Sequence, residues 1–292
     1  MTRLLALLPP ARRRHGVLTG AGEDDCAVVR RLPRHHRQLL KTDCVIEGVH
    51  FLPDTPPAAI GWKALCRPLS DLAATGGRPL HALVTFALSR ERSPEWALEV
   101  YAGLARAASE YGVAVVGGDT AATPGPSILA VALTGSVHRE RCITRGGGKP
   151  GDVLFVTGEL GGSFPSGKHL HFRPRLAEAR WLARRFPVHA MMDLSDGLAA
   201  DLPRLAQVSG TGFELSPGRL PCTPGCTPLQ AVGDGEDYEL LLAVPPAVAA
   251  TLQKAWAKKF PELALTAVGS LREPGIKLGL EQARGFDHFR ER

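Results

Sequence analysis

Residues 113–120 read Val-Ala-Val-Val-Gly-Gly-Asp-Thr, an apolar run that ends in two glycines and an aspartate. Four consecutive apolar residues bounded by glycine predict a short buried strand. Directly before this strand, residues 94–111 place Trp96, Val100 and Leu104 at intervals of four, which predicts an amphipathic helix. A helix that leads into a buried strand indicates an α/β domain, and the aspartate at the end of the strand is a first candidate for chemistry.

The rest of the chain repeats this alternation of strands and helices. Further strand-like runs lie at residues 26–29, 38–42, 83–87, 128–137, 153–157, 212–215, 238–244 and 265–271. Helical patterns cover residues 60–75, 174–186 and 246–260. The glycine-rich segment Arg141–Gly151 is typical of a hinge between two halves. The sequence therefore predicts an α/β (α+β) fold of two domains, residues 1–137 and 138–292.

The composition excludes several classes of protein. The 292 residues carry 35 lysines and arginines against 29 acids, a formal charge of +6, and 44% of them are hydrophobic. These values are typical of a globular chain and exclude wholesale disorder. No apolar run approaches the roughly 18–20 residues of a membrane helix, and the cysteines are too sparse for a disulfide scaffold, so we expect a cytoplasmic protein. The arginine clusters lack interleaved aromatic residues, which argues against nucleic acid as a partner.

Aspartates and glutamates recur beside glycine at the predicted strand ends. Six such groups lie at residues 20–25, 43–48, 70–77, 117–120, 193–197 and 235–239. Any one group is typical of a turn or a helix cap, but six are hard to explain as turns alone. Carboxylates that converge in one cleft repel one another unless hard cations lie between them. Since Mg²⁺ prefers carboxylate and phosphate oxygens, the pattern indicates several Mg²⁺ ions and a nucleoside triphosphate.

The residues around these acids suit a phosphate ligand. The neighbouring glycines allow backbone N–H groups to approach phosphate oxygens closely. Arg145, in the glycine-rich hinge segment, supplies a fixed positive charge for a phosphate group. Acids, glycines and arginine together favour metal-assisted phosphoryl transfer.

A second glycine-rich segment, residues 162–169, nearly matches a P-loop. It reads Gly-Ser-Phe-Pro-Ser-Gly-Lys-His and follows the predicted strand at residues 153–157. The last position of a P-loop holds a serine or threonine whose hydroxyl binds Mg²⁺, and here it is His169. We therefore interpret the segment as a glycine-rich loop rather than as a P-loop.

Taken in order, the motifs resemble the thiamine-monophosphate kinase family, within the superfamily of aminoimidazole ribonucleotide synthetase. The matching segments are residues 22–28, 42–51, 69–77, 117–120, 144–152, 193–198, 235–240 and 285–289. They cover nearly the whole chain, and the last two point to this family rather than to its superfamily relatives.

The resemblance implies both an architecture and a reaction. N-terminal strands would form a barrel that spans a homodimer, and the C-terminal domain would pack helices on a mixed sheet. Residues 1–137 would bind ATP and Mg²⁺ and dimerise, and residues 138–292 would complete the ATP and substrate sites. The implied enzyme is a kinase that transfers the γ-phosphoryl group of ATP to thiamine monophosphate, giving thiamine diphosphate.

The resemblance also implies roles for individual residues. The implied Mg²⁺ ligands are Asp25, Thr42, Asp43, Asp71, Asp119, Asp193 and Asp196. The implied ATP contacts are Gly118, Asp119, Arg145 and Ser195, with Asp119 and Asp196 as the catalytic pair. The implied substrate contacts are His50, Glu236 and Phe286. Phe286 would stack on a thiamine ring, and Glu236 would face the positive thiazolium.

The chain departs from the family pattern at four places, the first of which is Glu23 with one extra residue in the first motif. Lys41 stands where a small hydroxyl residue is common, Phe286 stands where tyrosine or tryptophan is common, and the segment after Gly158 is short. These departures leave two alternatives open. One is a related ATP-dependent enzyme that acts on another small phosphorylated acceptor, and the other is a non-catalytic nucleotide-binding homologue.

Overall fold

The computed structural model describes residues 16–19, 28–280 and 285, and the chain divides into two compact units. The first unit comprises Met1–Leu72 and Gly77–Glu140. The second comprises Ala73–Gly76 and Arg141–Arg292. Each unit has its own sheet.

The first unit is built on a four-stranded sheet. Its strands are β3 (His36–Ile46), β4 (Arg78–Ser89), β5 (Ala114–Thr123) and β6 (Ile128–His138), and a separate pair consists of β1 (Val17–Thr19) and β2 (Val28–Val29). The order in the sheet is β3-β6-β4-β5, so that β3 and β5 form its two edges. Only β4 and β5 run parallel, and a parallel pair requires a crossover connection.

Two long helices accompany this sheet, α1 (Pro57–Ala74) and α2 (Pro94–Tyr111), and α2 is the crossover between β4 and β5. Helix α2 begins at Ser93, whose side chain accepts the N–H of Trp96, and ends at Gly112 in the left-handed conformation. The helices pack in close contact, because a Cβ at Gly103 would lie 1.8 Å from the Ala58 carbonyl oxygen. Glycine is therefore required where α1 and α2 meet.

The second unit is built on a six-stranded sheet. Its strands are β7 (Val153–Thr157), β8 (Ala190–Asp193), β9 (Gly212–Leu215), β10 (Leu240–Val244), β11 (Leu265–Arg272) and β12 (Lys277–Leu278), in the order β12-β9-β11-β7-β10-β8. All neighbours are antiparallel except β9 and β12, so the sheet is mixed.

Among the described residues of the second unit there are five helices. They are α3 (Lys168–His171), α4 (Leu176–Arg185), α5 (Leu198–Ser209), α6 (Pro228–Gly233) and α7 (Pro246–Lys259), with a 3₁₀ turn at Pro217–Arg219. A further 3₁₀ turn, Arg139–Arg141, spans the sequence boundary between the two units. The core forms between the sheet and α5, where Leu202 and Leu205 pack with Leu154, Met192 and Leu241. No helix in the described part of the chain is long and apolar enough to cross a membrane.

The predicted elements occur in the predicted order, with some differences. The strand predicted at residues 38–42 extends over His36–Ile46, and the strand at residues 26–29 falls partly outside the described residues. Strand β8 and helix α5 were not predicted. The mixed α/β architecture is confirmed. The sheet of the first unit is open among the described strands, so a barrel shared by two copies stays a prediction.

Candidate active site

In the first unit, the structure brings Asp43 and Asp71 to the same basic side chain. Asp43 lies on β3 and Asp71 near the end of α1, and the Lys41 Nζ atom is 3.9 Å from the first carboxylate and 2.9 Å from the second. Arg67 adds a guanidinium nitrogen 3.3 Å from Asp43 Oδ1. Both carboxylates are about one-fifth exposed, at 20% and 22%. They are accessible to a ligand and are held in place by cations.

Asp119 lies at the other edge of the same sheet. It is exposed on β5, pairs in register with Thr85, and accepts the N–H of Thr120 at 2.8 Å. Strands β6 and β4 separate it from Asp43 on β3. The preceding residue, Gly118, approaches β4 so closely that a Cβ would lie 1.9 Å from the Val84 carbonyl oxygen. Only glycine fits there, so the two-glycine motif sets the position of Asp119.

Two further predicted site residues of the first unit, Thr42 and His50, differ in their exposure to solvent. Thr42 is exposed on β3. His50 is buried, and its Nδ1 atom accepts the N–H of Ile46 at 3.1 Å. Its carbonyl oxygen accepts from the buried Lys63 ammonium at 2.6 Å. Asp25, predicted as a metal ligand, and Phe286, predicted as a substrate contact, lie outside the described residues.

In the second unit, the motif after β8 forms a compact turn around Asp201. Asp193, the last residue of β8, is buried. Asp201 on α5 accepts the N–H groups of Ser195 and Asp196, each at 3.0 Å. Arg204, one turn further, donates to Asp196 at 2.5 Å and to Asp201 at 2.8 Å. This arrangement fixes the Asp196 carboxylate at the start of the helix.

Asp201 has a strongly altered acidity. Its pKa is raised to about 6, first by burial and then by the neighbouring Asp196 charge, with Arg204 opposing both effects. A buried carboxylate next to a second acid is costly unless a cation is present. The same arrangement raises the pKa of Arg204, whose guanidinium is held in its charged form by the two acids despite partial burial.

The second acidic motif, Gly235–Glu239, has an unusual backbone. Glu236 and Tyr238 have φ angles of 57° and 53°, in the left-handed region that side chains rarely adopt. Gly235 is also left-handed, and a Cβ there would lie 2.8 Å from the Ser195 carbonyl oxygen. Each strained non-glycine residue costs about 1–3 kcal/mol, so the surrounding contacts must hold the motif in this shape. Strain of this kind is concentrated at functional sites.

The near P-loop segment provides those contacts. The Gly161 N–H donates to both Asp237 carboxylate oxygens, at 3.0 and 3.2 Å, and the Ser163 hydroxyl donates at 2.7 Å. The Lys168 Nζ atom is 3.5 Å from the same carboxylate. The Gly161 N–H, the Ser163 hydroxyl and the Lys168 ammonium, in the region where a P-loop would bind phosphate, are thus directed to a carboxylate of the protein.

The second buried acid of the motif, Glu239, is bound by Arg175 and Thr157. The Arg175 guanidinium donates to both of its oxygens, at 2.8 and 2.5 Å, and the Thr157 hydroxyl donates at 2.7 Å. Asp237 and Glu239 are almost fully buried, at 1% and 2% exposure, whereas the Glu236 side chain is 20% exposed. Glu236 accepts from the Tyr238 hydroxyl at 2.7 Å. Of these three carboxylates, it is therefore the one presented to a ligand.

The predicted metal ligands are divided between the two units. Asp43, Asp71 and Asp119 lie in the first unit, and Asp193 and Asp196 lie in the second. Arg145, an exposed residue, and Ser195 also belong to the second unit. Within the described residues, no group of three or more acids, histidines and cysteines is close enough to hold a metal ion.

Five basic or acidic residues of these networks were not among the predicted site residues: Arg67, Lys168, Arg175, Asp201 and Arg204. Arg204 and Asp201 are three residues apart on one helix, and that spacing was a readable signal for an ion pair. Arg175 and Glu239 are 64 residues apart, and no local pattern connects them.

Comparison with known proteins identifies relatives of the whole chain. Residues 23–137 match the family described as AIR synthase related protein, N-terminal domain, and residues 149–278 match its C-terminal domain. A thiamine-monophosphate kinase from Rhodopirellula baltica is 41% identical over 228 residues, covering 74% of this chain and 71% of its own.

Solved structures agree in fold. The crystal structure of the thiamine-monophosphate kinase from Stenotrophomonas maltophilia K279a has a TM-score of 0.82 and 29% identity, covering 97% of this chain and 96% of its own. A structure described as AaThiL complexed with AMPPCP and TMP has a TM-score of 0.76 and 29% identity, covering 89% of this chain and 90% of its own.

Proposed function

The chain belongs to the thiamine-monophosphate kinase family, and we propose that it transfers the γ-phosphoryl group of ATP to thiamine monophosphate, giving thiamine diphosphate. The observation that carries this proposal is the likeness to AaThiL complexed with AMPPCP and TMP, which extends over 89% of this chain. AMPPCP is an analogue of ATP that resists transfer of its terminal phosphoryl group. A donor and an acceptor are thus both bound by a protein of the same fold.

The reaction makes modest demands on acid–base chemistry. The attacking atom is an oxygen of the acceptor's phosphate, which is anionic at neutral pH and needs no strong base to activate it. Catalysis therefore depends on holding donor and acceptor in line and on neutralising charge as it moves. We assign the ATP contacts to Gly118, Asp119, Arg145 and Ser195. Asp119 and Asp196 are the proposed catalytic residues.

Several Mg²⁺ ions are part of the proposal, with Asp25, Thr42, Asp43, Asp71, Asp119, Asp193 and Asp196 as ligands. Bound Mg²⁺ would neutralise the phosphate oxygens of ATP. The residues fit this role in the first unit, because Asp43 and Asp71 offer hard, partly exposed carboxylate oxygens that already share a cation, Lys41. One or two carboxylates per ion are usual for Mg²⁺ sites.

The acceptor contacts are His50, Glu236 and Phe286 in this proposal. Glu236 suits the role because its carboxylate is partly exposed while Asp237 and Glu239 are buried. A carboxylate attracts the positive thiazolium of thiamine without contacting the phosphate. Thiamine itself shares the ring system and lacks the phosphate, so it is the natural control acceptor.

We also propose that the protein is a homodimer in which the open sheet of the first unit pairs with a second copy to form a barrel. Leu40 on β3 and Leu83 on β4 support this, because their side chains are 76% and 47% exposed. Residues 1–137 would then carry ATP and Mg²⁺ binding and dimerisation, and residues 138–292 would complete the sites. A cytoplasmic location, where ATP is available, accords with the proposed reaction.

The deciding experiment is product analysis. Purified protein is incubated with Mg-ATP and thiamine monophosphate, with thiamine as the control acceptor, and the products are separated by chromatography. Thiamine diphosphate formed only from the monophosphate is the expected result. ATP binding or slow hydrolysis without that product would overturn the assigned acceptor and direct the search to other small phosphorylated molecules.

A further inference from the structure

We infer that Arg175 and Lys168 are positioning residues that set the acceptor-binding carboxylate of Glu236 by holding the two buried acids beside it. The inference deepens the proposed function and rests on it. Neither residue belongs to the motifs that identify the family, and neither was among the predicted site residues. Their contacts are with Asp237 and Glu239.

The first step of the argument is the backbone. Positive φ angles occur at Glu236 (57°) and Tyr238 (53°). These two residues alternate along the chain with the buried acids Asp237 and Glu239. A chain with side chains at these positions relaxes to ordinary conformations unless its neighbours are fixed. Two backbone bonds hold the motif to the turn after β8, from Glu236 N–H to the Ser195 carbonyl at 2.7 Å and from Tyr238 N–H to the Leu194 carbonyl at 2.8 Å.

The second step concerns the side chains on either side of Glu236. Arg175 binds both oxygens of Glu239, a geometry that fixes orientation as well as charge. The Lys168 Nζ atom lies 3.5 Å from Asp237 and 4.0 Å from Glu239, and it donates to the Glu159 carbonyl at 2.5 Å. Both cations are therefore committed to the protein's own acceptors, at the place where the near P-loop sequence would suggest a phosphate.

The third step concerns the aromatic rings near the Glu236 carboxylate. Phe172, which immediately follows α3, stacks on Tyr238 with ring centres 3.8 Å apart and planes 18° apart. The Tyr238 hydroxyl donates to Glu236 at 2.7 Å. His169 stacks on Phe164 at 4.3 Å and places Nδ1 3.4 Å from the other Glu236 oxygen. The segment that contains Lys168 thus contacts the acceptor-binding carboxylate directly through His169 and indirectly through Phe172, which packs on Tyr238.

These contacts give different roles to the three acids Glu236, Asp237 and Glu239. Asp237 and Glu239 are neutralised and buried, so they neither bind metal nor attract a ligand. Glu236 keeps a partly exposed carboxylate whose direction depends on the two ion pairs of its neighbours. An acceptor with a cationic ring would therefore lose affinity when either ion pair is disturbed, while ATP binding by other residues would not.

The test compares Arg175→Lys and Lys168→Met with the control Arg272→Met. Arg272 also binds a glutamate with two nitrogens, Nε and Nη2 at 2.8 and 2.5 Å from Glu214 Oε2, but this pair is exposed and lies on other strands. We expect the KM for thiamine monophosphate to rise about tenfold in the first two variants, with the KM for ATP within twofold of the wild type. The control should keep both constants.

A merely structural role would lower the active fraction, and with it kcat, without moving either KM. Equal rises in both KM values, or no rise in the acceptor KM, would therefore overturn the inference. The effect of Arg175→Lys should also disappear in a Glu236→Gln background, because it is exerted through Glu236. If the effects of Arg175→Lys and Glu236→Gln on the acceptor KM were fully additive, Arg175 would not act through Glu236.

Direct titration with thiamine monophosphate separates this inference from the proposed function. A wild-type protein that neither binds the acceptor nor forms thiamine diphosphate would overturn the proposed function, and the inference with it. A wild type that binds and turns over normally, with unchanged variants, would overturn the inference alone. Arg175→Lys keeps the charge, so it supplies a readout even where Lys168→Met lowers the yield of folded protein.

Discussion

The ammonium nitrogen of Lys41 lies 2.9 Å from a carboxylate oxygen of Asp71, one of the proposed Mg²⁺ ligands. It is also 3.9 Å from Asp43, which is proposed as a second ligand. A protein cation and a metal ion cannot occupy the same side of these carboxylates without repelling each other. Lys41 would therefore compete with Mg²⁺ for the two proposed ligands.

We predict that Lys41→Ser lowers the Mg²⁺ concentration needed for half-maximal activity. A partly exposed ion pair contributes up to about 1 kcal/mol, which corresponds to about a fivefold change. The measurement is the initial rate as a function of free Mg²⁺ at saturating ATP and acceptor. Lys254→Ser, at an exposed position on α7, is the control and should leave the curve unchanged. A higher Mg²⁺ requirement in Lys41→Ser would show that the lysine supports the site.

We predict that Gly118→Ala destabilises the first unit by about 3 kcal/mol or more and abolishes activity. The added Cβ would lie 1.9 Å from the Val84 carbonyl oxygen, a backbone atom that cannot move without breaking the contact between β4 and β5. Gly125→Ala is the control, because its nearest atom would be Thr123 Oγ1 at 3.7 Å. Urea unfolding of both variants decides the prediction. Equal stability in the two would show that the strands separate freely at Gly118.

We predict that Asp119→Asn lowers kcat/KM by about a hundredfold without loss of stability. The side chain is exposed and its bond to the Thr120 N–H is retained by an amide oxygen, so the fold loses little. The negative charge that would bind Mg²⁺, and through it position the phosphates of ATP, is lost, and electrostatic groups of this kind contribute about 10²–10³ in rate. Asp54→Asn, also exposed, is the control. A rate near that of the wild type would remove Asp119 from the proposed catalytic pair.

The order of strands and helices was predictable because their signals are local. The apolar run at residues 113–116, the proline at the start of α2 and the glycines that end elements each act over a few residues. Strand β8 was missed because Ala-Met-Met-Asp contains no β-branched residue. Helix α5 was missed because it contains Pro203 and begins at Gly197, with no side-chain cap.

The site was predictable only as a set of acids. Each acid stands in a local glycine-rich motif, but its partner comes from elsewhere in the chain. Glu239 contacts Arg175, and Asp237 contacts Gly161 and Lys168. The partners in each pair are separated by 64 or more residues in the sequence. Such pairings are decided when the sheet forms, since β7 and β10 are neighbours in it, and no periodicity in the sequence encodes them.

We predict that Arg204→Met lowers the free energy of unfolding of the second unit by about 2 kcal/mol. Removal of one partner of a buried ion pair leaves an uncompensated charge, here that of Asp201. Arg272→Met is a matched control, because both arginine side chains are 45% exposed, while their partners Asp201 and Glu214 are 1% and 43% exposed. The control should lose less than about 0.5 kcal/mol. Equal losses would mean that burial of the acid does not decide the cost.

The pH dependence of the free energy of unfolding should reveal the raised pKa of Asp237. Burial raises its pKa to about 6, against an ordinary value of 3.8, although Lys168 and the Ser163 hydroxyl oppose the shift. The folded state therefore binds the proton more tightly than the unfolded state. The stabilisation is fully present below about pH 4, falls as the pH rises from 4 to 6, and is lost above the folded pKa.

Asp237→Asn should remove this contribution, which amounts to about 3 kcal/mol for a pKa raised from 3.8 to about 6. Unfolding free energies of wild type and variant are measured in urea from pH 4 to pH 7.5. Asp201, whose pKa is also about 6, contributes a similar slope to both proteins, so the informative quantity is their difference. That difference should favour the wild type at pH 4 and move by up to 3 kcal/mol toward the variant by pH 7. Asp54→Asn is the control for an exposed acid. A constant difference across the range would mean that Asp237 is held ionised by Lys168 throughout.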